Sequence, residues 1–462
     1  MAPLSNSRRG PDDTGRIVIA MAALLVMAFL FGGASRTNVL RLAMVELTAL
    51  PLIVLAGLAM VRAEAWKRHR FALSIAGLVA AIPLIQLIPL PAFVWTALPG
   101  RESLVQALEV TGVAPGWGVI SLTPDFTWRA FLALLPPLAM FAATLLTPHA
   151  LRRKLVWLVL ALSLAAILLA TAQVATSNEV LYPYSWTDPG LAVGFFANRN
   201  HMAALCNSTI PFAAALAASG LVRDRSRQAD LTLGLGIAFV ALAIIAVGAI
   251  RSRAGIGIVG PSLIAGLLAA WVGSGRGRLD LRTVAMAGVG IVAIGVVATF
   301  GLGPIIERFE SLPSREGRFE EWPYVIEAAQ TYLPVGSGLG SFNNVYRSVE
   351  ALEVLSPFYF NNAHNDFLEI WLETGWLGIA LLIAFFVWFG RRGWAAWRGG
   401  PSPARNMERA ATIAIVVVLA HSTVDYPLRT ELMMVWFALC CGILELAARS
   451  ATDDREDRTH HA

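Results

Sequence analysis

Asn361, Asn362, His364, Asn365, Asp366, Glu369 and Glu373 crowd one short stretch, "FNNAHNDFLEIWLETG", directly ahead of an apolar run that continues to Gly390. A histidine titrates near neutral pH, which suits it to taking a proton from a hydroxyl or orienting one. A carboxylate beside it can fix the imidazole tautomer or pair with an arginine. Helical spacing puts Asp366, Glu369 and Glu373 at i, i+3 and i+7, on one side of a helix. In a low dielectric their mutual repulsion calls for bases or water opposite.

Other stretches offer those bases. "RSR" places Arg251 and Arg253 in a tight turn between two apolar runs. A guanidinium is a rigid fork of donors that fits phosphate oxygens two at a time; the plainer alternative is snorkelling to lipid headgroups. "GFFANRNHMAAL" sets Asn198, Arg199, Asn200 and His201 at the mouth of another apolar run, where such groups must pair with one another or face a wet cavity. "SREGRFEEW" contributes Arg318 within a long, mixed, aromatic-containing segment that reads as a structured lid or substrate-holding loop. His421 and Asp425 stand four apart in "AHSTVDYPLR" and read as an imidazole–carboxylate pair orienting a helix end. "GSGLGS", residues 336–341, lacks the strand and βαβ setting of a dinucleotide site and reads as a tight turn lying close to helices or to a ligand. Cys206, Cys440 and Cys441 have no metal or disulfide spacing, and no outward carboxylate cluster has one either, so neither a metal nor a cofactor is expected.

The elements that must carry these groups are membrane helices. The 462 residues are 56% hydrophobic and 15% charged, against about a quarter charged in an ordinary soluble chain. The apolar residues gather in runs of roughly 18–22, the length that crosses a hydrocarbon core about 30 Å thick. The fold class expected is all-α and polytopic, with about twelve transmembrane helices: 16–34, 39–61, 71–92, 127–147, 154–174, 198–219, 231–250, 254–273, 283–303, 366–390, 408–424 and 430–447. Loops that alternate with base-poor ones carry Arg62, Lys67, Arg68, Arg70, Arg152, Arg153, Lys154, Arg391 and Arg392, so the positive-inside rule puts both termini in the cytoplasm. The net charge of +5 follows from that orientation and needs no nucleic acid. The division expected is a cytoplasmic tail at 1–15, helices 1–9 over 16–303, a long structured outer loop at 304–365, helices 10–12 over 366–447, and a cytoplasmic tail at 448–462. Within this frame "NNAHNDFLEIWLETG" reads as a surface helix running into a span, with Glu373 near the boundary. Gly375 reads as a point of close helix approach, and Glu373 as the cap of a buried arginine.

The stretch "NNAHNDFLEIWLETGWLGIALL", with "GSGLGSF" before it, resembles the signature of the O-antigen ligase and polymerase family of bacterial envelope glycosyltransferases. "GFFANRNHMAALC", "RSRAGI" and "HSTVDYPLR" resemble that family's other motifs, and the resemblance covers roughly residues 190–430. It implies a metal-independent, inverting transferase in the bacterial inner membrane, with its active site and long loop facing the periplasm. The donor would be a glycan on undecaprenyl pyrophosphate, and the acceptor lipid A–core or another glycan; a protein hydroxyl is the acceptor in some relatives. By motif position, Arg199, Arg253 and Arg318 would hold the pyrophosphate, with Arg251 the weaker member of its pair. His364 would deprotonate or orient the acceptor, Asp366 or Glu369 would orient the imidazole or pair with an arginine, and Asn198, Asn200, Asn362 and Asn365 would support the site. Ligase and polymerase share this chemistry, and the ligase reading is preferred. A transporter or flippase of lipid-linked glycans would instead hold its ionisable groups near the bilayer midplane.

Overall fold

The computed structural model describes residues 11–35, 38–185, 187, 189–222, 227–274, 288, 290–292, 295, 318–350 and 360–448. Among the described residues the regular structure is helical, and β pairing is confined to an isolated bridge between Leu90 and Gly118. The principal helices are α1 (Pro11–Phe31), α2 (Val39–Arg62), α3 (Arg70–Gln86), α4 (Pro124–Leu146), α5 (His149–Thr176), α6 (Arg199–Val222), α7 (Arg227–Ile250), α8 (Arg253–Ser274), α9 (Arg318–Thr331), α10 (Phe342–Val349), α11 (Asp366–Arg398), α12 (Pro403–Ser422) and α13 (Glu431–Glu445).

Helix α2 shows why these sequences enter lipid. Leu42, Val45, Ala49, Leu52, Ala56 and Ala59 recur at steps of three and four and are buried. Met44, Leu47, Leu50, Val54, Leu58 and Val61 form a second apolar stripe on the opposite face and are exposed. Ile19, Leu168, Leu235, Ile264, Ile383 and Val387 extend this exposed apolar surface over α1, α5, α7, α8 and α11. A soluble monomer does not present apolar area on that scale. The chain is an integral membrane protein.

Seven described helices, α1, α2, α4, α5, α7, α8 and α11, are long and apolar enough to cross a bilayer. The other expected spans at 71–92, 198–219, 408–424 and 430–447 fall on α3, α6, α12 and α13, which are shorter or more polar. The expected span at 283–303 lies almost wholly outside the described residues, as do 304–317 of the expected loop and the two tails before Pro11 and after Ala448. Enclosure explains the polar helices. Every residue of α6 from Met202 to Ala217 is buried, including Asn207, Ser208 and Thr209, and α7, α8 and α12 pack around it. A helix wrapped in protein has no lipid face to satisfy, so its composition can be polar where its neighbours supply partners. At the first turns of α12, Arg409 is fully buried and donates from Nε to Ala396 O (3.2 Å) and from Nη2 to Gly399 O (2.6 Å), closing the end of α11.

Helix α11 runs eight residues beyond the expected boundary at Gly390, because no breaker occurs before Gly399, Gly400 and Pro401. Its far end is held by Glu445 of α13, which accepts from Trp388 Nε1 (2.7 Å) and Arg392 Nε and Nη2 (both 2.7 Å) and meets His69 Nδ1 at 2.9 Å. The segment before α11 has a small core of its own. Val325, Ala328, Ala329 and Tyr332 of α9 and the following turn pack with Phe342, Val345 and Tyr346 of α10 and with Leu372 of α11.

Candidate functional site

The start of α11 is fixed by its own polar residues. Asn365 is the N-cap, its Oδ1 accepting from Phe367 N (3.0 Å) and Leu368 N (3.2 Å). Glu369 Oε2 reaches back to accept from Ala363 N (3.1 Å), and Trp322 Nε1 of α9 donates to Ala363 O (3.0 Å). Between these anchors His364 is held at φ +48°, a left-handed conformation that histidine, asparagine and aspartate tolerate better than most residues. Its ring lies 4.8 Å from Tyr426 and 5.4 Å from Phe360, and its Nδ1 is 3.2 Å from Asp425 Oδ1. The Asp425 carboxylate is buried and also accepts from Tyr426 N at 2.9 Å. Asp425, expected to pair with His421 one turn away, thus also makes a long-range contact with His364.

The three carboxylates of α11 share one cation, Arg429, in the single turn Pro427–Arg429 ahead of α13. Arg429 meets Glu373 at 2.9 Å, Glu369 at 3.3 Å and Asp366 at 3.4 Å. Asp366 Oδ2 also accepts from Ser422 Oγ (2.7 Å) and Leu428 N (3.4 Å). Burial alone would lower the Arg429 guanidinium, but Glu369, Glu373 and Asp366 more than reverse this and hold it above its ordinary value. Of the two roles left open for Asp366 and Glu369, the geometry gives both the pairing with an arginine, and Asp425 takes the place beside the imidazole. The arginine is none of Arg199, Arg251, Arg253 or Arg318. The motif "DYPLR" contained it, and in loops otherwise poor in base its charge was the available signal.

The carboxylates are buried, contrary to the surface helix expected from hydropathy, and two other segments cover Glu373. Helix α11 breaks at Gly375 (φ +57°, ψ −144°). The loop 334–342 fills the break: Trp376 N donates to Pro334 O (2.9 Å), while Ser337 N and Gly338 N donate to the carbonyls of Leu372 and Glu373 (both 3.0 Å). Glu373 Oε1 accepts from Gly340 N (2.8 Å) and Phe342 N (3.3 Å). From the end of α3, Gln86 donates to Glu373 O (2.8 Å) and accepts from Leu339 N (2.8 Å). The glycines of "GSGLG" thus serve close backbone approach to a helix. A Cβ at position 375 would stand 2.7 Å from Pro334 C and 2.8 Å from Gly336 N. Gly375→Ala is expected to cost about 1–3 kcal/mol of stability through that strain, read as a lowered unfolding temperature in detergent. Gly390→Ala, where a Cβ would have nothing within 4 Å, is the neutral control.

The remaining expected residues lie at the starts of α6, α8 and α9 and in the loop before α11. Asn198 Oδ1 accepts from Asn200 N (2.8 Å) at the start of α6, where Arg199 and Asn200 are half-buried. Arg251 is exposed at φ +54°, and Arg253 opens α8, half-buried. Ser252 caps that helix by accepting from Gly255 N (3.1 Å), and Asn207 of α6 donates to Gly255 O (2.8 Å), so α6 and α8 start side by side. Asn362 is buried in the loop before α11. Arg318 begins α9, and its side chain lies outside the described residues. Beside Asp366 and Arg429 lies an apolar cavity of about 270 Å³, walled by Ile75, Val79, Ala133, Leu381, Phe385 and Met434 among others. Among the described residues no cluster has the make-up of a metal site.

None of the curated proteins matches the chain. A family model described as O-antigen ligase matches residues 211–383, from the middle of α6 to the middle of α11. Arg251, Arg253, His364, Asp366 and Glu369 fall inside the match, while Arg199, His201, Asp425 and Arg429 fall outside it; of these, Asp425 meets His364 and His201, and Arg429 meets Asp366. Residues 211–383 of this membrane protein are thus similar to the O-antigen ligase family.

Proposed function

We propose that the chain transfers a glycan from undecaprenyl pyrophosphate to an acceptor hydroxyl, as an O-antigen ligase with lipid A–core or a related glycan as acceptor. The observation that carries this reading is the pairing of His364 Nδ1 with the buried carboxylate of Asp425. That contact fixes the tautomer and leaves Nε2 to take the acceptor's proton. The transfer is a single, inverting displacement. The acceptor oxygen bonds to the anomeric carbon as the bond from that carbon to the pyrophosphate oxygen breaks, and the proton passes to His364. Arg253, Arg199 and Arg318 hold the departing pyrophosphate, with Arg251 a peripheral member, and they rather than a metal ion meet the developing charge. Asp366 and Glu369 serve through Arg429, which keeps the start of α11 in place. Asn198 and Asn365 cap their helices, with Asn200 and Asn362 beside them. The apolar cavity next to Asp366 suits the hydrocarbon of a lipid-linked substrate.

The orientation that fits this chemistry is about twelve spans in the inner membrane, with both termini cytoplasmic and the loop 304–365 on the periplasmic side, as the basic loops suggest. Deleting the gene and separating the surface glycans on a gel tests the reading. Unligated polymer that accumulates supports a ligase; a single-unit cap points to a polymerase; an unchanged envelope refutes both. Complementation with Arg253→Lys is expected to fail, with transfer down about 10²-fold or more, because a point charge cannot supply the two-pronged contact. Full rescue by that variant would remove Arg253 from the pyrophosphate site.

A further inference from the structure

We propose that the far end of α11 and the connection from α2 to α3 form a seat for the headgroup of an anionic phospholipid, with Arg391 and Arg398 on one side and Arg68 and Arg70 on the other. Helix α11 supplies the first observation. Ile383, Val387, Arg391, Trp394 and Arg398 follow at steps of four, four, three and four, so they share one face, and all of them are exposed. Trp388, Gly393 and Ala396 lie on the other side of the helix and are buried. The exposed stripe is apolar as far as Val387 and basic from Arg391 onward. Helix α2 makes the same change. Leu58 and Val61 are exposed and apolar, and Trp66, Lys67, Arg68 and Arg70 follow them, also exposed.

Glu445 ties the two ends together. Its buried carboxylate meets His69 Nδ1 at 2.9 Å, between Arg68 and Arg70 in the chain, and Arg392 Nη2 at 2.7 Å, next to Arg391. Two lipid-facing stripes that turn basic beside one clamp mark the edge of the hydrocarbon there. Tryptophan gathers at that edge. Trp66 and Trp394 are both exposed, each with a cation over its ring, Lys67 at 5.7 Å and Arg398 at 4.1 Å. The nearby carboxylates are engaged elsewhere: Asp13 lies 3.6 Å from Arg62, and Glu64 2.6 Å from Lys67. Among the described residues none forms an ion pair with Arg68, Arg70, Arg391 or Arg398. A guanidinium offers paired donors that match phosphate oxygens, and the bilayer supplies phosphate at this depth. A zwitterionic headgroup brings its own cation to the seat, whereas phosphatidylglycerol brings net negative charge, so the anionic lipid is preferred.

The test reads lipid binding alone and is independent of the transfer reading. The full chain, purified in detergent, is titrated with phosphatidylglycerol or with phosphatidylcholine of the same acyl chains, and native mass spectra give the dissociation constant of each. The unaltered chain is expected to favour phosphatidylglycerol. Arg391→Gln with Arg398→Gln is expected to lower that preference about tenfold, and Arg68→Gln with Arg70→Gln to lower it as much; if one pair does not accumulate, the other decides. Arg153→Gln with Lys154→Gln removes the same charge from exposed positions on α5 and is expected to keep the preference. Equal losses in this control and in the seat variants would reduce the effect to net charge and overturn the proposal, as would an unaltered chain with no preference. Residues 449–462, with Asp453, Asp454, Glu456 and Asp457, follow Glu445 closely in the chain. A preference that emerges only when they are removed would give the seat to that segment and overturn the proposal too.

Discussion

Replacing His364 with asparagine will lower glycan transfer by about two to four orders of magnitude and leave the amount of folded protein unchanged. Asparagine is chosen because position 364 sits at φ +48°, and among residues with a Cβ it is one of the few that accept this conformation. Its amide cannot take a proton, so the chemistry fails while the turn into α11 survives. Alanine at 364 is expected to lose as much activity and also some stability, since it adds backbone strain and removes ring contacts with Phe360 and Tyr426. The check pairs surface-glycan transfer in cells with membrane abundance on an immunoblot. More than about a tenth of normal transfer by His364→Asn would remove His364 as the base, because that loss is below what general-base catalysis contributes.

Replacing Arg429 with methionine will unfold the protein where His364→Asn does not. Removing one partner of a buried ion pair costs about 3–5 kcal/mol, because the other charge is stranded; here three carboxylates, Asp366, Glu369 and Glu373, would be stranded together. The break at Gly375 depends on the same cluster, since Glu373 Oε1 also receives two backbone N–H groups of the loop 334–342. We expect Arg429→Met to be depleted from membranes, and any remainder to lose its monodisperse peak in detergent at a much lower temperature. Combining it with Asp366→Asn and Glu369→Gln will recover part of the loss, because neutral amides need no cation. An Arg429→Met protein as heat-stable as the parent would show that the cluster does not hold α11. The Arg429 charge is thus committed to protein carboxylates.

What could be read in advance follows physical range. Capping and the left-handed turn at 364–366 are local, and the crowd of polar residues before an apolar run marked them. "GSGLG" identified a segment built for close approach, because glycine is informative about backbone wherever it occurs. The partner of His364 was not legible. A helical sequence couples positions four apart, so His421 and Asp425 were read together, while the contact made spans 61 residues. Choosing Arg429 over four other arginines needed the crossing of α11 and α12, which hydropathy does not encode. Burial of Glu373 was missed for the same reason: Gln86 and the loop 334–342 cover it from far away in sequence. Hydropathy also responds to lipid contact, so it finds α2 and α7 easily but ranks enclosed helices such as α6 and α12 lower.

The most direct measurement of the central claim is release of undecaprenyl pyrophosphate from a purified lipid-linked glycan by the purified full chain, with its acceptor lipid present. Release that depends on the acceptor and falls at least about a hundredfold in His364→Asn is the predicted result. Release that is equal in the two proteins, or absent from a folded, unaltered chain given both substrates, would contradict it.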